Sequence, residues 1–125
     1  MEEKVIRKTI EMLVHLPHDY HKVDKSEFSL LEESGYFKLH DRISEKEISE
    51  VLKMHPHLIA EWAQFSADSR SETNWVFSQG ESGKYYVSHW PPNPEFDEVS
   101  SFDRYDACAA FVKRKAESTR IIFEK

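Results

Sequence analysis

The spacing of apolar residues changes near residue 70, and this change constrains the fold more than any other feature of the chain. Before it, apolar residues recur every three or four positions, which is the period of an amphipathic helix. After it, the segments WVF (75–77) and YYV (85–87) flank the loop GESG (80–83). Two short apolar runs around a glycine-containing loop are typical of a β-hairpin. The sequence therefore predicts an α+β fold, with a helical N-terminal half and a C-terminal hairpin packed with a long helix.

Two helices are predicted in the first 35 residues. The first covers 3–15 and is stopped by Pro17, because proline disfavours helical geometry in the residue before it. The second begins near Asp24, which has capping-box spacing to the glutamate three residues later, and ends at Gly35. The segment 36–42 fits a short strand or an irregular connection.

The clearest helix start in the chain lies at Ser44. Glu47 follows it at capping-box spacing, and isoleucines occupy the two positions of a hydrophobic staple. We expect this helix to end at His55. Pro56 fits the first position of a further helix, where a missing N–H costs nothing.

The C-terminal part is predicted to contain the second hairpin strand and a last helix. Prolines within 91–94 close the strand, because proline cannot donate to a β-ladder. Ser100 and Asp103 have capping-box spacing for the helix, and the tail 121–123 either continues it or adds a strand. Five residues share one predicted face of this helix: Phe102, Tyr105, Ala109, Val112 and Ala116.

Composition favours a single cytoplasmic domain, 1–125. No apolar run approaches the ~18 residues of a membrane span, and the acidic, amphipathic N-terminus differs from a secretory signal. The lone cysteine suits a reducing compartment. We expect a monomer or weak dimer. Its predicted core comprises Ile10, Leu13, Ile48, Leu52, Ile59, Trp62, Trp75, Tyr85, Val87, Cys108 and Val112.

The stretch HLPHDYH (15–21) combines three histidines and an aspartate, as metal sites do. Pro17 lies between His15 and His18, so these two cannot share a regular helical face and converge on one zinc ion. We therefore predict a polar connection with Tyr20 turned inward, and neither a metal nor another cofactor. Four further residues could join such a site across space, and no metal is predicted for them either: His40, Asp41, His55 and His57.

Neither an enzyme nor a nucleic-acid-binding protein is predicted. Cys108 lies among alanines on a predicted helix, which favours a buried, inert thiol over a nucleophile. His89 could act as a general base, yet the sequence supplies no further part of such a site. Residues 44–65 outline a helix-turn-helix, but its second helix carries Glu61 and no basic residue. A small enzyme or regulatory domain remains the alternative.

The segment PPNPEFDEVSSFDRYD (91–106) is the strongest candidate for binding a partner. It holds five acids against one arginine, interleaved with aromatic residues, and its prolines stiffen the loop. Acids steer the approach of a basic protein, and aromatic rings supply contact area. A solvated loop leading into a helix is the simpler alternative. The predicted partner-binding residues are Glu95, Phe96, Asp97, Glu98, Asp103 and Asp106.

The segments NWVFSQ, KYYVSHW and FDRYDACAAFVKRKAES, within 74–118 of a small acidic chain, carry a resemblance to known proteins. Their order resembles the hairpin-then-helix layout of several bacterial immunity proteins, the antidotes of contact-dependent inhibition and polymorphic toxin systems. The resemblance implies tight binding to one toxin domain, often a basic nuclease, whose active site or substrate groove is occluded. Immunity proteins share no common site, so it assigns no functional residue.

Overall fold

The computed structural model of the protein describes residues 2–22, 26–68, 74–90, 92 and 94–124. Its N-terminal half is helical, and three strands followed by a long helix form the rest, as the α+β prediction requires. In chain order the elements are α1 (Glu2–Val14), α2 (Leu16–Lys22), α3 (Glu27–Ser34), α4 (Tyr36–Leu39), a 3₁₀ turn (His40–Arg42), α5 (Glu45–Met54), α6 (Leu58–Asp68), β1 (Asn74–Gln79), β2 (Tyr85–Trp90), β3 (Val99–Ser101) and α7 (Arg104–Glu124).

The three strands form one antiparallel sheet with β2 at its centre. The predicted hairpin is confirmed: Phe77 of β1 lies opposite Val87 of β2. Gly83 in the connecting loop has a φ of 86°, in the left-handed region that only glycine adopts without strain. The short third strand, Val99–Ser101, was not predicted.

Helices cover one face of this sheet. α7 packs against all three strands and α6 packs against β1, while α5 packs against α7 and α1 packs against α5. Phe111 of α7 stacks on Phe77, with 5.6 Å between the ring centroids. Trp62 of α6 meets Phe111 edge to face at 5.8 Å. The buried side chains form one continuous core between the sheet and the helices.

The predicted core residues are buried, apart from Tyr85, which is only partly buried. Tyr36 and Phe111 are also completely buried, although neither was predicted to belong to the core. All residues of α7 from Ala107 to Val112 are buried, so the buried surface of this helix extends beyond the predicted face. The wide buried surface of α7 fits its position between the sheet and α5.

The prediction of a polar connection at 15–21 was wrong, because Leu16–Lys22 form α2. Pro17 does end α1, but it also occupies the second position of α2, where its missing N–H needs no partner. Tyr20 is 42% exposed rather than turned inward, and its ring lies edge-on to Phe65 at 5.5 Å.

The start of α3 also differs from its prediction. Its N-cap is Ser26, whose Oγ accepts a hydrogen bond from the backbone N–H of Ser29 at 3.1 Å. Asp24, the predicted cap, lies outside the described residues. Gly35 ends α3 in the left-handed conformation, with a φ of 88°, as predicted. The segment 36–42 is neither strand nor irregular, since it forms α4 and a 3₁₀ turn.

The predicted start of α5 is confirmed. Ser44 Oγ accepts a hydrogen bond from the Glu47 N–H at 3.2 Å, and Glu47 Oε1 accepts one from the Ser44 N–H at 3.3 Å. His55 caps the C-terminal end of this helix. The N–H of Leu58 then donates to the His55 carbonyl at 3.0 Å, which leads the chain directly into α6.

The last helix begins later than the predicted capping box. Asp103 is its N-cap, whereas Ser100 lies in β3. The backbone N–H of Tyr105 donates to Asp103 Oδ1 at 2.9 Å. At the other end the tail 121–123 continues α7, which resolves the choice between helix and strand.

Candidate functional site

Among the described residues, alternate side chains of the sheet point away from the helices. Strand side chains alternate between faces, and Trp75, Phe77 and Val87 lie on the buried one. The opposite face, here called the outer sheet face, consists of Val76, Ser78, Tyr86, Ser88, Trp90 and Ser100. Every one of these side chains is at least partly exposed. The sheet face that points away from α7 is therefore lined by side chains that are accessible to solvent.

Large aromatic side chains are exposed on and beside this face. Tyr86 is 42% exposed and Trp90 is 55% exposed. The Tyr86 ring lies so close to Gly80 that a Cβ there would come within 2.8 Å of it. Phe102 is 70% exposed, and Lys84 Nζ lies 5.6 Å from its ring centroid. Placing Phe102 on the buried face of the last helix was wrong, because α7 begins only at Arg104.

The predicted binding segment begins in the acidic loop, residues 94–98, which connects β2 to β3. The side chains of Glu95, Asp97 and Glu98 are all exposed. Glu98 also lines a shallow depression on the outer sheet face together with Tyr86. The structure thus brings a carboxylate of the acidic loop next to an exposed aromatic ring.

Phe96 fastens the acidic loop to the end of the sheet. Its ring centroid lies 4.4 Å from that of His89 and 5.5 Å from that of Trp75. Because Phe96 is still 41% exposed, one side of the ring is open to solvent. His89, the candidate general base, is packed between aromatic rings, since Trp75 also meets it at 5.3 Å.

The last two predicted binding residues have partners within the fold. Asp103 Oδ1 accepts hydrogen bonds from the N–H groups of Tyr105 and Asp106 at 2.9 and 3.2 Å, so this carboxylate caps α7. Asp106 Oδ1 accepts a hydrogen bond from Ser49 Oγ of α5 at 2.9 Å. The structure therefore groups residues 95–98 in one loop, but turns Asp106 toward α5.

Negative charge is concentrated around the outer sheet face. Residues 80–103 contain five carboxylates and one lysine, which together account for four of the six net negative charges of the chain. The hairpin loop, the acidic loop and Asp103, the N-cap of α7, all lie within this range. A basic partner approaching the sheet would therefore meet a field that attracts it.

A groove between α6 and β1 has a volume of about 470 Å³, the same as that of the depression beside Tyr86 and Glu98. Its described lining includes Ile59, Phe77 and Tyr85, and Arg104 is the one charged side chain among them. Cys108 lies elsewhere, completely buried as predicted, and burial raises the pKa of its thiol far above the usual value. Neither the described lining of the groove nor the surroundings of Cys108 pair a nucleophile with a base.

A polar group links α7 to α4. Tyr36 Oη donates to Glu117 Oε2 at 2.6 Å, and burial together with this hydrogen bond raises the pKa of Tyr36. Burial opposes ionisation of Glu117, but hydrogen bonds from Arg120 and Tyr36 outweigh it and lower its pKa. Lys113 Nζ donates to the His40 carbonyl at 2.6 Å, and burial lowers the pKa of Lys113. Since these groups satisfy one another, they hold α7 against α4.

Of the residues that the sequence suggested could meet across space, the structure brings His55 to His15, whereas the glutamates beside the histidines were not considered. His15 lies beside Glu11 and His55, with one ligand atom from each within 4.8 Å of the others. His18 Nδ1 instead lies 3.3 Å from Glu61 Oε1. The signal that could have found the first group is the spacing of four residues between Glu11 and His15 on the predicted first helix.

No protein-family model, curated protein or solved structure matches the chain. Within the described ranges, no helix has both the length and the apolar character needed to cross a membrane. The chemistry of the described side chains is thus what bears on function.

Proposed function

We propose that this protein is a small cytoplasmic inhibitor of the immunity type, which binds one basic toxin domain through the outer sheet face and the acidic loop. The observation that carries this proposal is the exposure of Tyr86, Trp90 and Phe102 next to a concentration of carboxylates. The resemblance of the hairpin-then-helix segments to immunity proteins points in the same direction.

The aromatic side chains supply the contact area in this proposal. Tyrosine, tryptophan and phenylalanine are enriched in protein interfaces, because they bury much surface while few bond rotations are lost. Tyr86 and Trp90 lie on the same face of β2, and at about 3.3 Å per residue they are about 13 Å apart. A partner surface of ordinary size covers both.

The carboxylates favour a basic protein over nucleic acid as the partner. Phosphates would be repelled by the five acids of residues 80–103, whereas lysine and arginine side chains would be attracted. If the partner is a nuclease, its substrate groove is basic, and the carboxylates of the acidic loop can occupy the places of phosphates. Binding there would exclude the substrate without any chemistry in the inhibitor.

The six predicted binding residues have different roles in the proposed interface. Glu95, Asp97 and Glu98 form a charged rim, while Phe96 positions the loop through its contacts with the sheet. Asp103 adds negative charge to the same side while capping α7. Asp106 and its hydrogen bond to α5 are left outside the interface.

Protection of growing cells tests this function. The proposal expects a gene directly upstream that encodes a large secreted protein. The C-terminal domain of that protein would be co-expressed with the wild-type chain, with Trp90→Ala or with Val5→Ala. Val5 is the control, since it is 56% exposed on α1, close to the 55% of Trp90.

We expect wild type and Val5→Ala to restore growth. Loss of Trp90 should weaken binding about tenfold or more, because truncating a central aromatic hot spot typically costs about 2 kcal/mol or more. Purified proteins would give the affinities by titration calorimetry. If the upstream domain is toxic and the wild-type chain does not neutralise it, the proposed function is refuted. If Trp90→Ala protects the cells fully, the proposed interface is refuted.

A further inference from the structure

Glu11, His15 and His55 come together where the end of α1 meets the end of α5. Glu11 lies in the last turn of α1, His15 directly follows that helix, and His55 is the C-cap residue of α5. One ligand atom from each side chain lies within 4.8 Å of the other two. We propose that this group is a zinc-binding site, with three protein ligands and a fourth position open to water. The proposal departs from the sequence analysis, which predicts no metal.

The hydrogen bonds of His15 prepare it as a ligand. Its Nδ1 lies 2.7 Å from the backbone carbonyl oxygen of Glu11, and a carbonyl can only accept, so Nδ1 carries the proton. The lone pair is then on Nε2, whereas the nitrogen that lies 4.0 Å from Glu11 Oε2 is Nδ1, so the His15 ring must rotate to bring Nε2 to a metal ion. A histidine held by its second nitrogen in this way is the usual arrangement at protein zinc sites.

His55 and Glu11 complete the ligand set. His55 Nε2 donates to Glu11 Oε2 at 3.0 Å, and the His15 and His55 rings meet edge to face at 4.8 Å. Zinc at Nε2 would replace that hydrogen bond and shift the ring proton to Nδ1, a tautomer change open to neutral imidazole. Tetrahedral zinc with bonds of about 2.0–2.1 Å holds its ligand atoms about 3.4 Å apart, so the side chains would have to rotate and draw together around the ion.

The chemistry of the donors selects the ion. Two imidazoles and one carboxylate suit zinc and neighbouring divalent transition metals, whereas calcium and magnesium prefer oxygen ligands throughout. The three side chains are between 28% and 32% exposed, which leaves a path for the ion. Arg7 Nε lies 3.7 Å from Glu11 Oε1, on the carboxylate oxygen that does not face His55. Because the Arg7 side chain is 50% exposed, it can turn toward solvent when a cation binds.

The test uses the full chain without a histidine tag, freed of metal by a chelator and titrated with zinc in a calorimeter. The variants are Glu11→Gln, His15→Ala and His55→Ala. His18→Ala is the matched control, since His18 is a partly exposed histidine that also faces a glutamate, Glu61, at 3.3 Å.

We expect one zinc ion per chain for wild type and for His18→Ala. At zinc concentrations a hundredfold above Kd the melting temperature should rise by about 10 °C. Glu11→Gln should weaken binding about tenfold or more, and the two histidine variants should abolish it. Melting curves without zinc show whether each variant folds. The proposal is overturned if wild type binds no zinc, if all three folded variants bind it as wild type does, or if His18→Ala alone loses it. Since no toxin domain is involved, this result is independent of the proposed function.

Discussion

At the scale of single residues, Glu117 illustrates how burial and hydrogen bonding compete. The carboxylate is withdrawn from water, yet Tyr36 and Arg120 both donate to it, and its pKa is lowered as a result. A group whose pKa is lower in the folded state stabilises the fold above its unfolded pKa, which is about 4.3 for glutamate. That contribution disappears as the pH falls through the folded value.

Replacing Glu117 should therefore have an effect that depends on pH. We expect Glu117→Gln to lower the free energy of unfolding at pH 7 by about 1.5–3 kcal/mol, the range for a hydrogen bond to a charged group. The difference from wild type should shrink between pH 5 and pH 3. Melting temperatures across this range measure it, with the exposed Glu32→Gln as control. A difference that is constant with pH would contradict the assigned role.

At the scale of secondary-structure elements, the acids of the binding segment separate into two groups. The Asp103 carboxylate caps α7, whereas Asp97 is exposed in the acidic loop. An N-cap contributes through an oxygen that accepts from backbone N–H groups, and asparagine supplies such an oxygen as well as aspartate does. Charge and capping can thus be tested separately at one position.

We expect Asp103→Ala to lower the free energy of unfolding by about 1 kcal/mol, and Asp103→Asn to change it much less. Asp97→Ala, which removes the same charge without a cap, should be nearly neutral. Urea denaturation of the three variants measures these differences. Equal losses for Asp103→Ala and Asp97→Ala would show that the carboxylate of Asp103 does not hold the helix.

The elements set by neighbouring residues could be predicted, and those set by distant contacts could not. The start of α5 depends on Ser44 and Glu47 alone, so its capping box was visible in the sequence. β3 has three residues, and its position depends on pairing with β2. Pro17 is compatible with both the end of one helix and the start of the next, so α2 was missed.

The candidate binding sites also differ in whether neighbouring residues or distant contacts form them. Three acids lie within residues 95–98, so this cluster could be recognised from the sequence alone. Tyr86 and Trp90 were missed as surface residues, because the outward face of β2 is decided by the packing of α7 on the other face. His15 and His55 meet only because α1 packs against α5, and no local pattern records that contact.

At the scale of the whole molecule, the uneven distribution of charge is the feature that links fold and function. The segment 80–103 carries most of the net negative charge, and the rest of the chain is nearly balanced. Like charges gathered on one side oppose the folded state slightly, so a role in recognition helps to account for them. These charges lie in the hairpin loop, in the acidic loop and at the N-cap of α7, and the exposed aromatic rings of the sheet lie between those segments in the sequence.

The most direct test of this account is to measure how tightly the toxin domain binds a variant of this protein in which two acidic residues are replaced by lysine. Asp97→Lys/Glu98→Lys would be compared with Glu32→Lys/Glu50→Lys, which makes the same change in net charge at exposed positions of α3 and α5. We expect the first variant to bind at least about tenfold more weakly, mainly through slower association, and the loss to shrink as salt screens the charges. The control should bind like wild type, and both variants should keep their melting temperatures within a few degrees. If Asp97→Lys/Glu98→Lys binds the domain as tightly as wild type, the acidic loop is not part of the interface.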